Sequence, residues 1–463
     1  MVSRAVAAVS DRRVALAGIV LLALAVRLAG IGDRLSADEG YSWLVASAPD
    51  AGTFLERLAA YENTPPLFYL SLSALPLDDE AWLRVPSLLA SVAAVPVLYA
   101  IARPLLGTTA ALVGALALAV APYHVSFANY SRAFMLAGLG LLLALWAAAR
   151  LAQGRGRAWW WLYGLGALVA LYSEYDAGLF LAALVGALLV LGTPPRREAL
   201  AFGALPALGL LPWLGELRRA LDQLDVTKVA PIYPEPSPTA LRDVVVPLAF
   251  GEHGAAEGAG ARWLQLLLVA GVVAAGAALA RRRDPRAFAL IAGTGLGTLA
   301  LSGAVALAGP DVFAQRYLTV LIPLGAALAG ALVAFAPWGR AVPVAVAGLL
   351  LLGAGVFATR YGRELEPDPA PVAAAVAAED PDLVVTNSAV VAFYLRDRPV
   401  VLDRPFGLPQ PRPPCPGCRV VAVDDERVAG GARRGATRAL RHGPFAVTLL
   451  TPERRGLTRA EPG

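Results

Sequence analysis

Two acids, Asp38 and Glu39, stand side by side in Arg34-Leu35-Ser36-Ala37-Asp38-Glu39-Gly40-Tyr41. They follow an apolar run, Val14 to Gly30, of membrane-crossing length. Charge beside hydrocarbon is costly, so a carboxylate pair there usually has a use. The chemistry it offers is general-base: a carboxylate within hydrogen-bond reach takes the proton of an attacking hydroxyl. Tyr41 and Trp43 follow, an aromatic pair suited to a membrane interface. A solvated loop explains the two acids about equally well.

Further along, Glu62-Asn63-Thr64-Pro65-Pro66-Leu67-Phe68-Tyr69 reads as a rigid turn into the membrane, and residues 49–62 before it read as an amphipathic surface helix. Three more polar groups stand at ends of apolar runs: Asn129-Tyr130-Ser131-Arg132, Tyr172-Ser173-Glu174-Tyr175-Asp176 and Gln315-Arg316-Tyr317. Arg132 and Arg316 would lie on the face that the positive-inside rule disfavours. A guanidinium binds phosphate oxygens in bidentate fashion, which gives one reason for them. An ion pair with Asp311 or Glu174 gives another, and the two are compatible.

The elements that must position these residues are membrane helices. The chain of 463 residues is 57% hydrophobic and 16% charged, against about 25% charged for a soluble average. About eleven spans are expected, near 14–31, 82–102, 108–124, 132–150, 158–174, 176–192, 199–214, 263–280, 287–308, 316–336 and 341–358. The first reads as a retained signal anchor. Arg12 and Arg13, Arg103, Arg150 with Arg155 and Arg157, Arg196 and Arg197, Arg281 to Arg283 with Arg286, and Arg340 then all fall on one side, the cytoplasmic one. The net charge of +5 is thus a topology signal and not a nucleic-acid footprint. The bias to Ala, Gly, Pro and Arg suggests a bacterial plasma-membrane protein, with its N-terminus inside and its C-terminus outside.

The expected fold class is an all-α polytopic membrane protein with a small C-terminal α/β soluble domain. The division falls at 1–358, with outer loops 32–81 and 215–262, and 359–463. The second loop carries Pro231, Pro234, Pro236 and Pro238 and reads as irregular. In the tail, strands are expected at 382–386, 399–403, 419–424 and 445–450, with a helix over 387–395. Cys415 and Cys418 lack partners for a zinc site; outside the cell they could form a strained bridge. No metal site is assigned. Asp38, Glu39 and Glu174 supply the oxygens a divalent cation takes, and nothing in the sequence fixes one.

In order, Asp38-Glu39 after the first span, Asn63-Thr-Pro-Pro-Leu-Phe-Tyr69, Ser131-Arg132, Tyr172 to Tyr175 and Arg316-Tyr317 resemble the GT-C glycosyltransferases. The likeness is to the family 39 and lipid A aminoarabinose-transferase type, within the dolichyl-phosphate-mannose–protein mannosyltransferase superfamily, over residues 14–336. Many relatives carry a His before the paired prolines, where this chain has Asn63-Thr64. The resemblance implies an inverting glycosyltransferase that uses a polyprenyl-phosphate-linked sugar at the outer face of the membrane, on an acceptor the sequence does not name. It implies Asp38 as base and Glu39 as an orienting acid. Arg132, Arg316 and Tyr317 would bind the donor phosphate. Tyr41, Asn63, Tyr69, Tyr130, Tyr172, Glu174 and Tyr175 would line the substrate site. The competing reading is a transporter or flippase of lipid-linked sugars. It expects repeats and midplane charge, whereas here the acids and arginines gather at one face.

Overall fold

Apolar runs close their own backbone hydrogen bonds as helices, because hydrocarbon offers no other partner. The computed structural model describes residues 2–62, 64–224, 236–251, 255, 258–309, 313–337, 370–378, 381–386, 388–398, 400–402, 420–425, 439–442 and 445–450. The helices are α1 (Val2–Leu28), α2 (Ala37–Ala46), α3 (Ala51–Tyr61), α4 (Leu67–Ser73), α5 (Glu80–Leu106), α6 (Thr108–Ala119), α7 (Pro122–Ala128), α8 (Phe134–Ala152), α9 (Trp159–Leu171), α10 (Ala177–Leu191), α11 (Arg196–Leu208), α12 (Leu214–Leu224), α13 (Pro238–Phe250) and α14 (Ala259–Arg283), with later ones given by range. Contacts divide the chain into two units. One is Met1–Ile31, Asn63–Ala74 and Arg84–Tyr361; the other is Gly32–Glu62, Leu75–Leu83 and Gly362–Gly463.

The first unit is helical. Among the described residues four helices are long and apolar enough to cross a membrane, Glu80–Leu106, Phe134–Ala152, Ala259–Arg283 and Pro285–Leu307, or six if each bent pair is one span. The bent pairs are α6 with α7, at 56°, and Arg196–Leu208 with Leu211–Asp222, at 43°. Trp159–Leu171, Ala177–Leu191 and Leu321–Phe335 are shorter apolar helices. The chain is a multi-pass membrane protein. The expected span at 341–358 and Arg340 lie outside the described residues.

Packing in this unit relies on small residues, because lipid supplies little hydrophobic drive between helices. A Cβ on Gly140 of α8 would stand 2.6 Å from the Gly166 carbonyl oxygen, and one on Gly166 of α9 would stand 2.6 Å from that of Gly140. Buried alanines such as Ala144, Ala148, Ala167 and Ala170 continue the seam. The stretch expected as an irregular loop at 215–262 is helical over Leu214–Leu224 and Pro238–Phe250. Proline does not prevent this. Pro238 sits in the first turn, where its missing N–H costs nothing, and the Ser237 hydroxyl caps the Ala240 N–H at 3.0 Å. Pro231 and Pro234 lie outside the described residues.

The second unit carries a five-stranded sheet of order β2-β1-β3-β5-β4: β1 (Leu383–Thr386), β2 (Val400–Leu402), β3 (Val420–Asp425), β4 (Ala439–His442) and β5 (Phe445–Leu450). β1 runs parallel to both β2 and β3, while β5 is antiparallel to β3 and β4. All four residues of β1 are buried, as its apolar Leu-Val-Val run requires of a central strand. Val384, Val421 and Val423 pack with Val372, Val376 and Val391 from the helices Ala370–Ala378 and Ala389–Tyr394. Four strands stand where the sequence places them. β4 was not expected, since Ala-Leu-Arg-His lacks the alternation that marks a strand. Cys415 and Cys418 lie outside the described residues.

Candidate active site

Asp38 and Glu39 occupy the first turn of α2, where the helix dipole favours negative charge. The helix starts there because Ser36 and Glu39 form a capping box. The Glu39 carboxylate accepts from the Ser36 N–H at 2.9 Å and from its hydroxyl at 3.1 Å, and the Glu39 N–H donates back to the Ser36 hydroxyl at 3.4 Å. Glu39 is 2% exposed, whereas Asp38 is only partly buried. Tyr41, one turn on from Asp38, stacks on Tyr61 with ring centroids 5.6 Å apart. Arg57 of α3 donates to the Leu44 carbonyl at 2.7 Å, which fixes α3 against α2. Gly40 lets α2 approach the Ala389–Tyr394 helix, since a Cβ there would stand 2.7 Å from the Val390 nitrogen.

In the helical unit the paired prolines lead directly into α4, and Asn63 lies outside the described residues. The Tyr69 hydroxyl is 2.9 Å from that of Thr64, and the Leu67 N–H donates to the Tyr172 carbonyl at 2.9 Å. The Tyr172 hydroxyl donates to the Gly209 carbonyl at 2.6 Å. Tyr69 and Tyr172 thus both hold the turn that follows the prolines.

The third group gathers around Tyr317. Its ring lies 6.1 Å from that of Phe134, Phe127 bridges to Tyr130 and to Phe134, and the Arg316 guanidinium sits over the Tyr317 ring at 5.1 Å. Arg316, Glu174 and Asp176 are the charged groups close enough to act on the Tyr317 phenol. Burial, then Glu216, pushes Tyr175 up to about 12. The helical unit thus brings Glu174, Arg316 and Tyr317 into one electrostatic neighbourhood, with Tyr130 joined through the rings. Arg132 is tied by its backbone, its N–H to the Tyr130 carbonyl at 2.7 Å and its carbonyl to the Ser87 hydroxyl at 3.1 Å.

Several buried polar residues have no role in the sequence reading. The Asp176 Oδ1 is buried and has no hydrogen-bond partner among the described residues. Asn129 is 4% exposed, and neither polar atom of its side chain has a partner among them either. Arg27, inside the first apolar run, is fully buried. It donates from Nε to Ser91 Oγ at 2.7 Å, from Nη1 to the Ala23 and Ala119 carbonyls at 2.9 and 2.7 Å, and from Nη2 to His124 Nδ1 at 2.9 Å. The available signal was a lone arginine in an apolar run, which is costly unless held. No group of three or more His, Cys, Asp or Glu side chains is placed to hold a metal ion among the described residues.

Comparison with known proteins fits this architecture. Residues 65–213 match the family model for dolichyl-phosphate-mannose-protein mannosyltransferase. No curated protein matches the chain by sequence. The fold resembles that of the GT-C glycosyltransferases, the resemblance that the motif order also carries. The apo crystal structure of ArnT from Cupriavidus metallidurans superposes with a TM-score of 0.67 at 15% identity, covering 98% of this chain and 100% of that one. The same enzyme bound to undecaprenyl phosphate gives 0.64 at 14%, covering 97% and 99%. The oligosaccharyltransferase AglB from Archaeoglobus fulgidus, in complex with an inhibitory peptide and a dolichol-phosphate, gives 0.51 at 14%, covering 85% of this chain and 64% of that one.

Proposed function

We propose that this protein is a membrane glycosyltransferase that moves a sugar from a polyprenyl-phosphate donor to an acceptor hydroxyl at the outer face of the membrane. The observation that carries the reading is the fold likeness, over nearly the whole chain, to a transferase solved with undecaprenyl phosphate bound. In the reaction the acceptor oxygen attacks the anomeric carbon as the bond to the phosphate oxygen breaks. The proton passes to the Asp38 carboxylate and the lipid phosphate leaves with the electron pair. One displacement inverts the anomeric centre. Arg132 and Arg316, with the Tyr317 hydroxyl as donor, stabilise the charge gained by the phosphate. Glu39 holds the turn that presents Asp38. The acceptor is a protein, lipid or glycan, and the C-terminal sheet lies outside the cell. The one-sided distribution of the loop arginines supports that sidedness. Transport of lipid-linked sugars is less favoured, because the structures of like fold are transferases.

The test is incubation of the purified full chain with a panel of polyprenyl-phosphate sugars, following release of polyprenyl phosphate. Consumption of one donor, lost in Asp38→Asn, is the expected result. A fully inert panel, with candidate acceptors supplied, counts against the reading.

A further inference from the structure

The short helix Ala389–Tyr394 in the second unit is buried on two sides, and the two sides have different neighbours. Val391, with Leu395 just past the helix end, packs with Val384, Val421 and Val423 of the sheet. Val390 and Phe393 pack instead with Leu35, Trp43, Leu77 and Leu83. Leu35 and Trp43 belong to the α2 end of the first loop, and Leu77 and Leu83 to its far end.

The contacts are specific at both ends. A Cβ on Gly40 of α2 would stand 2.7 Å from the Val390 nitrogen and 2.8 Å from the Ala389 carbonyl carbon, so backbone lies against backbone. One turn on, the Trp43 ring meets Phe393 edge-on, with centroids 5.6 Å apart. At the far end the Tyr394 hydroxyl donates to Glu80 Oε1 at 2.7 Å, and Arg396 Nη2 donates to the Asp78 carbonyl at 2.6 Å. These two pairs are 314 and 318 residues apart in sequence, so only the folded C-terminal domain brings them together.

A helix turns about 100° per residue, which sets Gly40 about 200° and Trp43 about 140° round α2 from Asp38. The face of α2 that meets the Ala389–Tyr394 helix is therefore opposite the face that carries Asp38. A backbone seat has no soft side chain to yield, so a shift there moves Asp38 with the whole helix.

We infer that the Ala389–Tyr394 helix is the seat that positions Asp38, with Gly40 and Trp43 as positioning residues, so that the C-terminal domain serves the transfer step and not donor binding. The inference rests on the reading of Asp38 as the base. Arg132, Arg316 and Tyr317, assigned to the donor phosphate, belong to the other unit, so the loss on unseating α2 falls on kcat. Misplacing a reacting group by about 1 Å can cost about 100-fold in rate.

Gly40→Leu and Trp43→Ala in the purified full chain test this by two readouts. Hydrogen–deuterium exchange of the α2 amides from Gly40 to Ala46 needs no substrate. Leucine is a better helix former than glycine, so local propensity alone would slow exchange in Gly40→Leu. Loss of the seat should instead speed it in both variants by about tenfold, the scale of one lost aromatic pair, with α8 and α9 unchanged. The kinetic readout uses the donor consumed in the panel above. Each variant should lower kcat by about 10–100-fold with the donor KM near wild type. Trp43→Phe, which keeps an aromatic edge for Phe393, should recover most of kcat. Trp43→Ala adds no bulk, so it remains informative if Gly40→Leu fails to fold. Exchange that is unchanged or slower in Trp43→Ala overturns the inference. Faster exchange with unchanged kcat, or a loss confined to the donor KM, overturns it too and leaves the transferase reading standing. An inert wild type fails that reading instead, and exchange then decides the seat by itself.

Discussion

The Glu39 carboxylate accepts the Ser36 N–H at 2.9 Å, which spends it on starting α2, while its neighbour Asp38 takes no part in that capping box. The two adjacent acids therefore have separable duties. Asp38→Asn should abolish sugar transfer while leaving the thermal midpoint near wild type. Glu39→Ala removes the reciprocal cap and should cost about 1 kcal/mol of stability, as cap deletions do. Glu39→Gln keeps the box and should retain both stability and most of the activity. Transfer assays and thermal denaturation of the three purified variants decide the matter. A stable but inert Glu39→Gln protein would give Glu39 a chemical role beyond the cap.

The phosphate role of Arg132 and Arg316 has a kinetic signature. A hydrogen bond to a charged group contributes about 1.5–3 kcal/mol, so each Arg→Ala change should weaken use of the polyprenyl-phosphate donor by roughly 10–100-fold in kcat/KM. Saturation with acceptor should not restore it. Unchanged donor kinetics in both variants removes these residues from the phosphate.

Much of this arrangement could be read from sequence, for identifiable reasons. Helices along Phe134–Ala152 and Ala259–Arg283 follow from run length alone. The β1, β2, β3 and β5 strands follow from Val-rich runs set between turns. What the sequence withheld depends on three-dimensional proximity. Gly40 looks like any loop glycine until the Val390 backbone is placed against it. Ser36 and Glu39 are a capping pair only if a helix begins at Ala37, whereas residues 32–81 read as one loop. Arg27 stands within the first apolar run, and only the fold reveals that Ala119, Ser91 and His124 converge on it.

That convergence carries the last prediction. Arg27 binds α1 to α5, α6 and α7 through Ser91, Ala119 and His124, with no carboxylate partner among the described residues. Arg27→Met would preserve much of the volume but leave the His124 acceptor and the Ala119 carbonyl without their donor. Stranding buried polar groups costs about 1–3 kcal/mol each, so a loss of roughly 3 kcal/mol or more is expected. Arg27→Lys keeps the charge, but a compact ammonium lacks the planar fork that reaches three partners at once, and it should recover only part of the loss. Thermal denaturation of the two variants in one detergent gives the order: wild type, then Arg27→Lys, then Arg27→Met. If both melt like wild type, the buried guanidinium is not what holds α1 in place.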